Sequence, residues 1–331
     1  MSSKVEGSTP SAAETVPAPP RRSALTGALL RPEAGGAISA LLVFIFFAIM
    51  AGQNGFLTLL GTANWLDTAA DLGIIALPIG MLMIAGEFDL SVGSVVGLSG
   101  VLCADVMVHG HGVAAGVLAG VLAGVAVGAL NGFIVTRIRI PSFIVTLAMM
   151  MVTRGAALKF TDARTISGLP PSFAVFGDNE ASIAIIAVVF VVSWIVLTRT
   201  PFGRHVYAIG GNADAAWLSG VRVGRVEFAV YVLCGAAAGV AGVLSASRLH
   251  VGYPRAGEFA ELDSIAAVVV GGTSLFGGRG TIWGTLAGVF FIGVLNNGLN
   301  LFNVSPYDQM IAKGAVLAVA ASIDRLRRRA T

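Results

Sequence analysis

The sequence predicts an all-α membrane protein, a polytopic helical bundle of about ten transmembrane helices. Of its 331 residues, 56% are hydrophobic and only 12% are charged, whereas a soluble domain carries roughly a quarter charged residues. Successive apolar segments fill residues 37–323, and each is close to the roughly 20 residues that cross a bilayer. The formal net charge is only +3, so the positions of the basic residues matter more than their sum.

The two ends of the chain differ in composition from the apolar middle. Residues 1–35 are rich in Ser, Ala and Pro and contain no apolar run, so we expect no cleavable signal peptide and predict a disordered cytoplasmic tail. Residues 36–325 are predicted to form one transmembrane domain. Residues 326–331 are predicted to be a basic cytoplasmic tail.

The predicted spans are separated by short turns or by loops that contain charged residues. They lie near 37–53, 66–86, 89–108, 113–136, 140–160, 181–198, 226–247, 261–277, 281–301 and 307–323. The connections around 86–89 and 277–281 are very short, so these boundaries are the least defined.

Basic residues are distributed unevenly between the connections. With the N-terminus inside, the inside connections hold Arg137, Arg139, Arg279 and the arginines of 199–225. Three outside connections, near 54–65, 109–112 and 302–306, hold no Lys or Arg. Cytoplasmic loops are enriched in Lys and Arg, so both termini are predicted to be cytoplasmic. The longer outside loops, 161–180 and 248–260, are of mixed charge.

The segment 199–225 is a polar, basic island in a very apolar chain. Its charged and titratable residues are Arg199, Arg204, His205, Arg222, Arg225 and a single acid, Asp214. Residues 212–219 predict a short helix, because Asn212 is a good N-cap, Asp214 suits the positive helix end and Gly220 is a natural stop. Such a helix suggests a contact for a cytoplasmic partner. An ordinary topogenic loop is the alternative.

Glycines recur at every fourth residue in the fourth span. The helix-packing residues predicted from this spacing are Gly116, Gly120, Gly124 and Gly128. On a helix they form one smooth stripe, which lets another helix approach closely. The segments 122–132 and 286–298 are also similar and run in opposite directions in this topology. That is typical of an inverted-topology repeat, with chance similarity between helices of like composition as the alternative.

Several polar groups lie inside or between the apolar segments. The candidates for a transport path or gate are Asp89, Ser91, Asn131, Thr146, Asn296 and Asn297. For Asp89 we favour a structural role as a cap on the third span. The amides and hydroxyls suit a hydroxylated solute such as a sugar, and hydrogen bonding between helices is the alternative for each. Arg154 and Lys159 are expected to snorkel to the outer interface.

Motifs for chemistry on the chain itself are not found in the sequence. The glycine-rich stretch 271–280 lacks the lysine of GxxxxGK[ST] and predicts a tight turn. Cys103 and Cys234 are predicted to be packing residues, and the pair His109 and His111 is a weak metal signal without further ligands. We therefore expect no catalytic residue, no metal site and no cofactor bound by this chain.

Four motifs, in consistent order over roughly residues 60–325, resemble those of the permease subunits of ribose-type ABC sugar importers. The segments are GEFDLSVGSVVGLSG at 86–100, NGFIVTRIRIPSFIVTLAMMMVTRGAA at 131–157, FGRHVYAIGGNADAAWLSGVRV at 202–223 and ELDSIAAVVVGGTSLFGGRGTIWGTLAG at 261–288. They resemble the family patterns GxxDLSVGS, NG…IPxFIxTLxxMxxxRG, GRxxYAxGGNxxAAxxSGI and ELxxIAAVVxGGTSLxGGxGxxxGTxxG. The pair Glu87-Phe88 departs from the small or apolar pair that is usual there, which leaves the role of Glu87 open.

The resemblance implies a permease subunit of the bacterial inner membrane that moves a monosaccharide or related polyol. Its implied partners are a cytoplasmic ATPase that holds the ATP and Mg, an extracytoplasmic sugar-binding protein, and a second permease copy or paralogue, with no nucleic acid. The binding protein would dock on loops 161–180 and 248–260. The residues implied for the ATPase-coupling loop are Gly203, Arg204, Tyr207, Gly210, Gly211, Asn212, Ala215, Ala216, Ser219 and Gly220.

Other functions stay open at this point. A self-contained secondary transporter or channel for a small polar solute would predict an ion-coupling acid deep in the bundle. A membrane enzyme would need a convergent set of reactive groups, which the sequence does not show. The resemblance does not name the solute, so ribose, xylose, galactose, inositol and similar polyols all remain candidates.

Overall fold

The computed structural model describes residues 32–329. This part of the chain is 79% helical and contains no β-strand, in agreement with the predicted fold class. The predicted N-terminal tail, 1–35, lies mostly outside the described residues. The first helix already begins at Pro32, and the last helix continues through the predicted basic tail to Arg329.

Twelve α-helices follow one another along the described residues. They are α1 (Pro32–Met50), α2 (Leu59–Ile84), α3 (Val92–Val106), α4 (Gly112–Phe133), α5 (Ser142–Phe160), α6 (Asn179–Arg199), α7 (Pro201–Gly211), α8 (Ala213–Leu218), α9 (Val223–Leu249), α10 (Ala260–Val270), α11 (Ile282–Leu301) and α12 (Pro306–Arg329).

Helix α2 forms the centre of the bundle. Every residue from Leu72 to Ile84 is buried, as expected for a helix that is apolar on all sides. The helices α6, α9, α10 and α11 surround it. Near the start of α2, Trp65 packs edge-on against Phe290 of α11 and Phe44 of α1. Aromatic rings therefore fill the space between these three helices.

The glycine stripe of α4 lies at two helix contacts. A Cβ atom at Gly116 or Gly120 would lie within 2.9 Å of backbone oxygens of α3, whereas Gly124 and Gly128 face α9. On α9, Gly124 faces Gly235 and Gly239, and Gly128 faces Tyr231 and Gly235. All four glycines therefore face neighbouring backbones, and α4 packs against α3 and α9 at distances that leave no room for side chains.

The structure corrects several of the predicted spans. Six helical stretches of the described chain are long and apolar enough to cross a membrane. One of these, 92–138, folds back at Gly110 and Gly112, whose φ angles are 85° and 81°, and so consists of the antiparallel pair α3 and α4. The count of ten complete spans is not confirmed by these helices.

The eighth predicted span, 261–277, is wrong. The helix α10 has only 11 residues and ends at Val270. It ends there because Gly271 and Gly284 pack backbone against backbone where the chain turns into α11. The glycine-rich stretch that follows is non-helical, as the sequence predicts.

The segment 250–259, predicted as an outside loop, packs along the length of α3. A Cβ at Gly252 would lie 2.6 Å from the Cβ of Ala104, and one at Gly257 would lie 2.5 Å from the carbonyl oxygen of Gly93. Ala104 and Gly93 are about 16 Å apart along an α-helix. The chain therefore runs beside α3 as non-helical backbone before α10 begins.

Candidate functional site

A buried polar cluster joins the connection after α2 to helices α3 and α4. Asp89 is 1% exposed, and its carboxylate accepts hydrogen bonds from the amide (2.8 Å) and the hydroxyl (2.6 Å) of Ser91. The Ser91 hydroxyl in turn accepts from the side-chain amide of Asn131, at 2.8 Å. Asp89 thus organises the residue before α3 and does not cap the first turn of that helix, which begins at Val92.

Two further polar contacts tie helix α5 to this region. The hydroxyl of Ser94 on α3 pairs with that of Thr153 on α5, and the Ser142 hydroxyl at the start of α5 accepts from the amide of Phe88, at 3.3 Å. Thr146 is buried one turn further along, where its hydroxyl donates to the carbonyl of Ser142 at 2.8 Å. The Thr146 hydroxyl is therefore used within its own helix.

Glu87 lies at the same end of the bundle. Burial raises the pKa of its carboxyl, and hydrogen bonds from Ser142 and Tyr231 oppose this rise. The Tyr231 hydroxyl also donates to the carbonyl of Phe88, at 3.1 Å. Glu87 is thus held by α5 and α9 at the point where the chain enters α3.

Asn296 and Asn297 lie in a different part of the bundle from Asp89. On α11, Gly293 packs against Ala69 in the first half of α2, whereas Asp89 follows the last residue of α2. The side-chain oxygens of both asparagines are buried and have no hydrogen-bond partner within the described chain. The six candidate path residues therefore fall into two separate groups.

Arg154 does not snorkel to an interface, which corrects the expectation from the sequence. Its guanidinium donates to the carbonyls of Pro254 (2.7 Å), Ala256 (2.9 Å) and Gly93 (3.1 Å). The guanidinium offers several donors in a fixed planar arrangement, so a single side chain ties segment 250–259 to α3 and α5. An arginine within an apolar segment is a functional candidate by default, and that signal was present in the sequence.

A charged cluster lies at the end of α9. Arg248 contacts Asp71 and Asp67 of α2, the latter at 2.8 Å, and the hydroxyl of Ser182 on α6, also at 2.8 Å. Three helices are joined here by one guanidinium. Arg248 was predicted as part of an outside loop and is instead a residue of α9.

The basic segment 199–225 contains two helices, α7 and α8, which we call the elbow. The predicted short helix is confirmed: α8 covers Ala213–Leu218, and the Asn212 side chain accepts from the amide of Ala215 at 2.9 Å. Gly220 follows it with φ of 87°. Helix α7 was not predicted from the sequence, although Thr200 and Pro201 are typical first residues of a helix and Thr200 caps it.

The elbow contacts the bundle through α7 and presents α8 outward. Gly210 packs against the carbonyl of Ile84 and would place a Cβ 2.5 Å from the amide of Gly278, and the Tyr207 hydroxyl donates to the carbonyl of Gly280 at 2.8 Å. Gly203 and Ala216 are buried. The other residues predicted for the coupling loop are exposed: Arg204, Gly211, Asn212, Ala215, Ser219 and Gly220.

The outward side of α8 is apolar in a basic surrounding. Trp217 is 68% exposed and Leu218 is 78% exposed, with Arg204 and Arg222 exposed nearby in sequence. Two large apolar side chains outside the apolar spans are typical of a protein contact. A polytopic helical bundle with buried polar clusters and an exposed elbow fits the predicted class of this chain, a membrane permease.

Comparison with known proteins gives the family. Residues 61–321 match the family described as "Branched-chain amino acid transport system / permease component", and the chain belongs to this family. The ribose import permease protein RbsC of Bacillus subtilis (strain 168) is 45% identical over 291 residues, which are 86% of this chain and 90% of that protein. No solved structure matches the chain significantly.

Two other relatives are named for pentoses as well. The ribose import permease protein RbsC of Escherichia coli (strain K12) is 38% identical over 294 residues, 86% of this chain and 91% of that protein. The xylose transport system permease protein XylH of the same strain is 34% identical over 361 residues, 88% of this chain and 91% of that protein. The resemblance to sugar permeases is thus confirmed over most of the chain.

Proposed function

We propose that this chain is the permease subunit of an ABC importer that moves a monosaccharide or related polyol across the bacterial inner membrane. The observation that carries the proposal is the match, over nearly the whole length, to permeases named for ribose and xylose. The family description names branched-chain amino acids. The relatives that are most similar over the whole chain are named for sugars, so a sugar is the favoured solute.

A separate ATPase supplies the energy and docks on the elbow in this proposal. Trp217 and Leu218 provide an exposed apolar contact, and ATP and Mg are held by that partner. The inner end of α2 and the turn before α11 both contact Gly210 of α7. A displacement of the elbow therefore acts directly on the core of the bundle. With the elbow facing the cytoplasm, both termini are cytoplasmic, in keeping with the basic residues there.

A sugar-binding protein delivers the solute at the opposite side of the membrane, and a second permease copy or paralogue completes the path. Loop 161–180 belongs to the side away from the elbow and contains exposed charged residues at 162, 164 and 178, which suits a contact with a water-soluble protein. The chain acts as a transport component, without bond chemistry of its own.

One observation favours the alternative of a self-contained secondary transporter. Asp89 is buried, and its hydrogen bonds come from Ser91, with no ion pair to it among the described residues. A deep acid of this kind suits ion coupling. In that case Asp89→Asn would abolish uptake driven by an ion gradient in vesicles that contain this chain alone.

Co-purification from the native membrane in mild detergent, with partners identified by mass, separates the two functions. We expect an ATP-binding subunit that protects residues 203–223 from surface labelling. The variant Ala215→Glu places a charge on the exposed side of α8 and should weaken this association while the chain remains inserted. Isolation of the chain alone, with solute uptake in vesicles without ATP, would replace the importer by the secondary transporter.

A further inference from the structure

Segment 250–259 and helix α10 together form a discontinuous span. The chain leaves α9 at Leu249, runs beside α3 through a series of turns, and becomes helical again only at Ala260. Arg154 fixes this arrangement through the carbonyls of Pro254 and Ala256. Non-helical backbone at membrane depth is tolerated only where protein covers it or where it lines a water-filled cavity.

The depth of the segment follows from its neighbours. On α9, Gly242 packs against Val96 and Gly100 of α3. Gly257 packs against Gly93 of α3, about one helical turn further from the level of Leu249 than Gly242 is. At 1.5 Å per helical residue, Gly257 lies about 15 Å from the end of α9 at Leu249. The hydrocarbon core of a bilayer is about 30 Å thick, so Gly257 is near its middle.

Helices α3 and α10 both begin near Gly257. A Cβ at Gly93, in the first turn of α3, would clash with the carboxylate of Glu261 in the first turn of α10. The start of α3 and the start of α10 therefore meet near mid-depth. The buried carboxylate of Glu261 lies between the two helix starts.

One face of the segment is covered and the other is open. Gly252, Pro254 and Ala256 are buried against α3 and Arg154, whereas the alternate residues Tyr253 and Arg255 are exposed, as is Glu258. Tyr253 is 39% exposed. Among the described residues, neither Arg255 nor Glu258 takes part in an ion pair.

Unpaired charges at this depth are incompatible with lipid contact. Ionisable groups inside a membrane face a water-filled cavity or pair with one another, because hydrocarbon does not solvate them. By contrast, the exposed side chains in the middle of α5, among them Leu147 and Met151, are apolar, and these suit lipid. Segment 250–259 thus forms a polar opening at mid-depth, beside the apolar outer surface of α5.

We propose that the open face of segment 250–259 lines the solute path, and that Tyr253, Arg255 and Glu258 contact the passing sugar. Carboxylate and guanidinium groups pair with neighbouring hydroxyls, and an aromatic ring covers an apolar sugar face, so these three side chains suit a small polyhydroxylated solute. Arg154 acts as a positioning residue, since it holds the backbone on which they lie. The proposal rests on the proposed function for the identity of the solute.

Cysteine accessibility tests the path independently of the solute. Arg255→Cys and Glu258→Cys are treated in membrane vesicles with a membrane-impermeant maleimide, applied to either side. Met151→Cys on α5 is the matched exposed control, Ala256→Cys is the buried control, and the parent chain reports the background from the buried Cys103 and Cys234. We expect both path variants to react at least tenfold faster than the two controls.

Uptake measurements with ribose then test solute contact in the co-purified complex. Glu258→Gln and Arg255→Gln are expected to raise KM for uptake several-fold while ATP hydrolysis by the complex stays close to that of the parent. Lys159→Gln, which removes an exposed charge elsewhere on the same membrane-spanning surface, should leave both quantities unchanged.

The outcomes are distinct. Labelling of Arg255→Cys and Glu258→Cys no faster than Met151→Cys overturns the proposal. Fast labelling combined with unchanged KM for ribose overturns the sugar contact. If the parent complex takes up no sugar at all, the proposed function fails, whatever the labelling shows.

Discussion

Replacement of Gly124 by alanine should destabilise the protein more than any other single methyl group added to α4 or α5. The new Cβ would lie 2.8 Å from the Cα and amide nitrogen of Gly239, and closer still to the carbonyl oxygen of Gly235. All three are backbone atoms in the middle of α9 and cannot rotate away. Ordinary contact begins at 3.4 Å, so the two helices must separate by at least about 0.6 Å at this point.

The size of the destabilisation follows from the contacts that a separation of α4 from α9 would weaken. A gap of 0.5–1 Å forfeits roughly a quarter to a half of the dispersion energy of each contact, and overpacking of a core costs about 1–3 kcal/mol. The upper end applies here, because Gly128 and Gly235 share the same helix contact. At about 2–4 °C per kcal/mol, the apparent Tm should fall by roughly 5–10 °C.

Gly155→Ala is the matched control for this measurement. Gly155 lies on α5, and its added methyl group would meet nothing within 4 Å. Because alanine favours a helix over glycine by about 0.5–1 kcal/mol, this variant should melt at the parent temperature or slightly above it. Thermal unfolding in mild detergent, followed by size-exclusion chromatography, measures both variants. Equal melting temperatures for Gly124→Ala and Gly155→Ala would refute the reasoning.

Three further predictions concern the polar contacts and the elbow. Arg154→Gln should lower stability by roughly 3 kcal/mol, since it weakens three hydrogen bonds from a charged donor, and Lys159→Gln should not. Gly210→Ala should reduce transport per ATP hydrolysed in the complex, because α7 must move away from Ile84; normal coupling would contradict the elbow's role. Asn212→Ala should cost about 1 kcal/mol through loss of the α8 cap, visible as faster amide exchange in α8.

Local sequence patterns were sufficient to predict the elements that depend on residues close together in sequence. The cap of α8 follows from Asn212, a residue type whose side chain satisfies a free helix amide. The stripe on α4 follows from glycines at every fourth residue, and the structure places all four against neighbouring backbones. The all-α membrane class follows from the apolar composition and from successive apolar segments long enough to cross a bilayer as helices.

The elements that the sequence did not predict depend on contacts between distant residues. The predicted span 261–277 continues through Gly271 and Gly272, whereas the helix ends at Val270, where Gly271 packs against Gly284 of the next helix. Likewise, the carbonyls of Pro254 and Ala256, which Arg154 binds, are 100 and 102 residues further along the chain. Hydropathy records how apolar a segment is and contains no information about which backbone lies beside it.

The same reason explains the division of the candidate path residues. Asn131 and Asp89 are far apart in sequence and are joined through the Ser91 hydroxyl, whereas Asn297, of similar chemistry, lies beside the other half of α2. Residue type alone indicates polar side chains that are suited to line a transport path. Only the packing of α11 against α2 separates the two groups.

Uptake of radiolabelled ribose by the co-purified complex in proteoliposomes distinguishes an ABC importer from a secondary transporter. We expect uptake that requires ATP and a sugar-binding protein, is competed by ribose or a related pentose, and is insensitive to the collapse of ion gradients. Uptake that proceeds without ATP and ceases when the gradients collapse would contradict this expectation.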